Sequence, residues 1–542
     1  MANTMKRLSI VALTLLATGV AWGQAGGRGI GGGWTTSRAD AQRTAWVRTD
    51  AAISVESVQK ADFGLQWTSK IGHITRESIS EGVSGNTAQL DPAPGNVAGS
   101  ANNLYAYEID TGALAWTKHF EVPASAAATA ACPGGITSGV TRPTSLTPMV
   151  AGTVLGGRGA VTGRGATGGV GAPGEGVPPE LVVRAGRGAA GLSGRGGGAA
   201  AGGRGITGAV NFAGAGGGGA AGASGRVGLR GEPASSYVMS SDGVLHAVGQ
   251  AQGKELHKPV QFLPANANAT DLILVDQMMY TSTINGCGGV PNGVWALNLA
   301  DGSVVSWKSG ASPVGEIALS STGTLYVAIG DGTDTYHNSV VALDPKTLAV
   351  KDWFSQASSP FSSTPVIFSQ GGRELVAAAT KDGTVFILNA ASLGGSDHKG
   401  PLGSSGVTTT SKTWAPTALA TWEDATQTRW LLLPAEGAST GIVAFKVTGT
   451  SVQKAWSANI ASPSAPIVVN GVVFALSSGS AASPAVLYAL DGATGKEVWN
   501  SGKAIKSFVK SAGLWSMSGQ VYVATSDATI YAFGTSMGRT LN

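Results

Sequence analysis

The chain has 542 residues, of which 82 are Gly, 14 Trp and 2 Cys, with 13% charged residues and a formal charge of +4. An average protein is about 7% Gly and about 25% charged, so twice the glycine and half the charge exclude a solvated helical bundle or coiled coil. Two cysteines exclude a disulfide scaffold.

At the N-terminus Lys6 and Arg7 precede an apolar run from Leu8 to Val20 and a small-x-small site, Ala21-Trp22-Gly23, before Gln24. This pattern predicts a signal peptide over residues 1–23 and export to the periplasm or beyond the cell. No later stretch reaches the ~20 apolar residues of a membrane helix, so no transmembrane segment is expected. No Cys follows the cleavage site to carry a lipid anchor. A glycine-rich linker, residues 24–33, leads to Trp34.

From Trp34 a unit repeats: a short alternating strand, a turn of Asp-x-x-Thr-Gly or Asp-Gly type, and a second strand ending in Trp. Clear copies lead to Trp116, Trp307, Trp353 and Trp499, and weaker ones to His257 and Trp456. Alternation buries one face of each hairpin, the turn closes it, and the indole packs between neighbouring units. The last copy, residues 529–533, stops before its Trp strand, whereas residues 63–68 form a Trp strand with no hairpin before it. The first strand is therefore expected to close the last unit. Spacings of 49, 50, 46 and 43 residues between successive ring positions match a four-stranded propeller blade. The count predicts an all-β, eight-bladed β-propeller of four-stranded blades, closed by the N-terminal strand, spanning residues 34–151 and 232–542.

Residues 152–231 interrupt it. They hold 31 Gly, eight Arg, two Glu and one aromatic residue, Phe212, too little apolar surface to fold alone, and read as a disordered Gly/Ala/Arg-rich insert. Its +6, with Lys6 and Arg7, accounts for the basic balance and leaves the propeller net acidic. The insert reads either as a tolerated flexible loop or as a contact for an anionic surface. Nucleic acid is not expected, because stacking aromatics are nearly absent. The letters G-x-G-x-x-G at Gly163, Gly165 and Gly168 follow no strand and open no helix, and imply no dinucleotide site.

Cys132 and Cys287 lie 155 residues apart. In an oxidising compartment they either bridge or remain two buried thiols.

The repeats, together with Trp34 to Trp67 and the residues Asp40-Ala41-Gln42-Arg43-Thr44 and Ile53-Ser54 within it, resemble the PQQ-binding-like β-propeller repeat proteins, which share the quinoprotein alcohol dehydrogenase-like fold. That family includes dehydrogenases of alcohols or sugars that use pyrroloquinoline quinone (PQQ) and Ca²⁺, and non-catalytic propellers that bind other proteins. The resemblance implies that Asn285 ligates Ca²⁺ beside the cofactor and that Lys381 contacts the quinone oxygens. A hard cation takes amide and carboxylate oxygens, and a cation near a quinone stabilises its reduced anion. Asp331 and Asp334, in a polar loop, are further candidate Ca²⁺ ligands.

Two departures matter. The adjacent cysteine pair common in the dehydrogenases is absent, and after Trp307 the one acidic residue available as a general base is Glu316. The expected function is a non-catalytic or degenerate quinoprotein-like propeller that binds a protein or small ligand at one face. A PQQ- and Ca²⁺-dependent dehydrogenase is the alternative, and a surface or assembly component a third. Elsewhere, G-x-S-x-G at residues 437–441 should be a hairpin loop, lacking the following helix of a hydrolase elbow. The six His show no zinc spacing.

Overall fold

The structure, a computed structural model, describes residues 34–146 and 235–535 apart from 49, 51, 71–83, 87–92, 100–101, 124–128, 130, 357, 409–414, 437–440 and 511–513, with backbone only at 84–86 and 93–99. The expected signal peptide, linker and insert, and all of the G-x-S-x-G motif but Gly441, lie outside the described residues.

Nearly all regular structure among the described residues is antiparallel strand; one short helix, Val55–Val58, is held by a reciprocal Ser54–Ser57 capping box. The first strands of successive sheets, Pro313–Leu319, Val366–Gln370, Ala420–Glu423, Ile467–Val469 and Leu514–Met517, pack side by side in chain order. They form the inner wall. Middle strands pack their faces on neighbouring blades and are largely buried, as in Leu325–Ile329, where every residue is apolar and buried. Outer strands face solvent on one side, and Val304–Lys308 alternates between exposed and half-buried residues.

Closure is between the two ends of the chain. Phe63–Lys70 pairs antiparallel with Thr529–Thr535, giving the last sheet its fourth strand.

The blade count differs from the sequence expectation. Among the described residues seven sheets reach four strands or more, and the sheet of Ser235–Met239, Val244–Gly249 and Val260–Gln261 has three. The propeller has seven blades, not eight. Its inner-strand position at the three-stranded sheet is held by Thr141 alone, which exchanges hydrogen bonds of 3.0 and 2.8 Å with Tyr237. Just beyond Thr141 the chain turns away, and Pro143–Thr144 adds in parallel to Ile273–Val275 of the neighbouring blade.

Between blades the indoles dock as the repeat pattern requires. The Nε1–H groups of Trp67, Trp116 and Trp456 donate to the carbonyls of Ile109, Gln250 and Gly492 at 2.9, 2.8 and 3.1 Å. The turn glycine of the next unit lies flat against the ring. Gly495 has φ +73°, and a Cβ there would stand 2.4 Å from Trp456 Cε3, whereas Gly302, at φ +75°, has open space around it. Gly302→Ala should therefore cost only the left-handed backbone, about 1 kcal/mol, and Gly495→Ala about 2–4 kcal/mol, because the ring must also move. Urea midpoints of the two variants check this; equal losses would contradict the docking.

In the three-stranded sheet His246 stands six residues after Ser240, as Phe386 and Tyr531 stand after Thr380 and Thr525 in matching turns. Its Nδ1 lies 2.6 Å from Glu255 and its ring packs on Phe120 of the preceding blade. Burial holds its pKa below the ordinary histidine value, outweighing the pull of Glu255 and Asp242. The unfolded chain then takes up the proton first, so stability falls as pH drops through about 6.5 and levels off beneath the depressed folded value. His246→Phe should remove that loss, read as urea midpoints of both proteins at pH 8 and pH 5. Parallel pH dependence in the two would contradict it.

Candidate functional site

Strands alternate in direction within a blade, so the connections from second to third strand and from one blade to the next share one end of the propeller. Asn285 follows Met278–Thr283, Asp331 and Asp334 follow Leu325–Ile329, and Lys381 follows Arg373–Ala379. Each strand is the second of its blade, apart from the added Pro143–Thr144, and the blades are consecutive. The four candidates thus lie on one face.

Each makes contacts of its own there. Asn285, exposed and left-handed at φ +63°, donates its Nδ2–H to the Ala131 carbonyl at 3.0 Å, and Asn268 donates to the same oxygen at 3.1 Å. Beside them Cys132 and Cys287 are joined in a disulfide, so of the two readings of these thiols the bridge is the one found. Asn285 thus fastens the disulfide loop. Asp331 is exposed and accepts from Gly332 N–H at 3.0 Å, and Asp334 lies against Gly310. Their loop is anchored by Tyr336, whose ring sits between Trp307 and Trp353 at 5.7 and 5.4 Å. Lys381 is exposed, and its backbone N–H donates to the Pro360 carbonyl at 2.9 Å.

Glu316 is elsewhere, on the inner wall. A β-bulge between Val314 and Ala318, with Gly315 at φ +71°, interrupts the ladder of Pro313–Leu319 there. Bulges re-aim side chains. The Glu316 N–H is taken by Thr364 Oγ1 at 3.0 Å, and its carboxylate, in a residue 9% exposed, meets residues that come from before the first blade. Ser37 Oγ donates to Oε1 at 2.7 Å, and Arg43 Nη1 lies 3.1 Å from Oε2. Both belong to residues 34–47, a largely buried strap crossing the inner wall. Arg43 also donates to the Ile317 and Ser37 carbonyls at 2.8 and 2.6 Å. A carboxylate so held is poorly placed to take a proton from a substrate.

The sequence offered no role for Ser37, Arg38 or Arg43 beyond the family-like residues around Asp40. The one available signal was two arginines among small residues ahead of the first strand.

Calcium takes six to eight oxygens, several from carboxylates. Asn285 turns its amide nitrogen into the protein, Asp331 and Asp334 sit in the next blade's loop, and among the described residues no three of His, Cys, Asp and Glu come together. The donor set on this face does not fit a Ca²⁺ ion. Among the described residues no helix is long and apolar enough to cross a membrane.

No family model matches the sequence, and no curated protein matches it either. Solved structures do. The quinohemoprotein alcohol dehydrogenase ADHIIG from Pseudomonas putida HK5 is similar over 94% of this chain and 81% of its own, at 12% identity and a TM-score of 0.55. A europium-containing methanol dehydrogenase is similar over 93% and 98%, at 10% identity and a TM-score of 0.52. BamB from Moraxella catarrhalis is similar over 87% and 97%, at 12% identity and a TM-score of 0.47. The chain has a quinoprotein-like β-propeller fold.

Proposed function

We propose that this chain is an exported, non-catalytic binding propeller that engages a protein or small ligand through the face carrying Asn285, Asp331, Asp334 and Lys381. The observation behind this reading is the state of Glu316, the acidic residue a dehydrogenase would need as base. It is held by Ser37 and Arg43. The disulfide between Cys132 and Cys287 supports export, since such bonds persist in oxidising compartments.

The alternative, a PQQ-dependent dehydrogenase, draws support from the fold and from Lys381, whose exposure leaves it able to meet an anionic cofactor. Reconstitution with PQQ and Ca²⁺, followed by dye-linked assay on a panel of alcohols and sugars, separates the two. The binding reading expects no turnover above a protein-free control. Turnover that disappears in Lys381→Ala would replace it with the enzyme.

A further inference from the structure

The inner strands of a propeller present free edges to its channel, and an extended chain can satisfy the N–H groups on such an edge. Here residues 34–47 do so. Leu319 N–H donates to the Ala41 carbonyl at 2.8 Å, Ile367 to Gln42 at 3.0 Å, Thr421 to Thr44 at 3.0 Å and Val468 to Ala45 at 2.8 Å. Four blades in succession each give one inner-strand N–H to one strap carbonyl. Only Trp46–Val47 pairs as a strand, in parallel with Val468 and Val469.

Two guanidinium groups set the register. Arg38 Nη2 donates to the Leu419 and Pro466 carbonyls at 2.7 and 3.0 Å. Arg43 reaches the Ile317 carbonyl and pairs with Glu316. Most of this recognition is of main chain by main chain, with one ion pair to select the segment.

The strap's backbone is shaped by its surroundings and not by its own preferences. Arg38, Ala39, Arg43 and Ala45 have φ of +59°, +77°, +59° and +54°, a region L-residues enter at a cost and keep only where neighbours impose it. A segment without regular structure of its own, bound by edge donors and buried side-chain contacts, has the properties of a bound peptide.

We propose that the channel is a peptide-acceptor site, which the chain fills with its own residues 34–47, and that the site takes the same peptide in trans. The ligand class is a peptide segment with two arginines five positions apart, able to take left-handed turns at and beside them. Small residues are required beside them, because Ala39 and Ala41 are 6% and 0% exposed. The occupant in trans is the strap of another copy of this chain, entering by the same contacts.

Residues 59–62 form an exposed turn between the helix and the closing strand, where a protease site can be placed in the full chain. After cutting under native conditions, a fluorescent peptide of residues 34–58 should exchange into the protein at one per chain. The same peptide carrying Arg43→Met should compete at least about 100-fold less well, since it leaves the Glu316 carboxylate buried without its countercharge. Retention of the cut strap with no exchange short of denaturation would overturn the proposal. Should cutting unfold the chain, hydrogen exchange on the intact protein decides. The amides of Leu319, Ile367, Thr421 and Val468 should open together, at least about 100-fold more often than amides of the middle strands. Exchange of these four only through global unfolding would equally overturn it.

Discussion

Arg43→Met is expected to destabilise the propeller by about 3–5 kcal/mol, the usual loss when one partner of a buried ion pair is removed and the other remains. Arg43 is 1% exposed and its side chain is closed to solvent. Besides Glu316 it serves the carbonyls of Ile317 and Ser37 and the Thr36 hydroxyl. Removal strands a carboxylate whose one other side-chain partner is Ser37. Glu316→Gln should also destabilise, because the buried Arg43 guanidinium loses its countercharge, but by less than Arg43→Met, because the amide oxygen can still accept from Ser37 and Arg43 keeps its hydrogen bonds to the Ile317 and Ser37 carbonyls. The double variant Arg43→Met, Glu316→Leu should recover a large part of the single loss, as apolar replacement of a buried pair often does. Urea denaturation of the three proteins gives the comparison. A loss under 1 kcal/mol in Arg43→Met would mean that the strap does not hold the inner wall together.

Opening the disulfide is expected to cost about 5 kcal/mol, from the entropy returned to an unfolded chain freed of a 155-residue loop. The bond fastens the loop at Ala131 onto the face beside Asn285, where Asn268 and Asn285 already hold it. Cys132→Ser with Cys287→Ser should therefore unfold at lower urea while keeping its β-sheet spectrum. Loop-closure cost is logarithmic, so deleting residues 152–231, about half the loop, should change the bond's contribution by only about 0.6 kcal/mol. A cysteine-free variant as stable as the parent would show that the loop is ordered without the bond.

The repeating architecture was legible because its determinants are local. A hairpin of alternating residues, an Asp-Gly turn and a Trp a few positions on are read within some fifteen residues, and the docked Trp67, Trp116 and Trp456 follow from them. Closure was legible as well, since Phe63 to Thr68 lacked the hairpin that residues 529–533 supplied. The blade number was not. The repeat signal marks a blade's third and fourth strands and says nothing of its first, so the unit at Val244 counted as whole although its inner strand is reduced to Thr141.

The shared face of Asn285, Asp331, Asp334 and Lys381 follows from equivalent places in the repeat, and in that sense was written in the sequence. Whether those side chains converge depends on contacts across blades. Asn285 is claimed by a carbonyl 154 residues earlier in the chain, and Glu316 by a serine 279 residues away. The strap was hidden for a related reason. It has no periodicity, takes left-handed turns at Arg38, Ala39, Arg43 and Ala45, and spreads its hydrogen bonds over four blades.

The most direct test of a binding propeller without the quinone cofactor is a tryptophan-fluorescence titration of the protein with PQQ, with and without Ca²⁺. With 14 Trp in the chain, many of them between blades, occupancy of the propeller would quench the signal. No saturable quenching is expected into the high micromolar range, and no effect of Ca²⁺. Saturable quenching that strengthens with Ca²⁺ and is lost in both Asn285→Ala and Lys381→Ala would contradict this reading, and would place cofactor and metal on the face that carries these two residues.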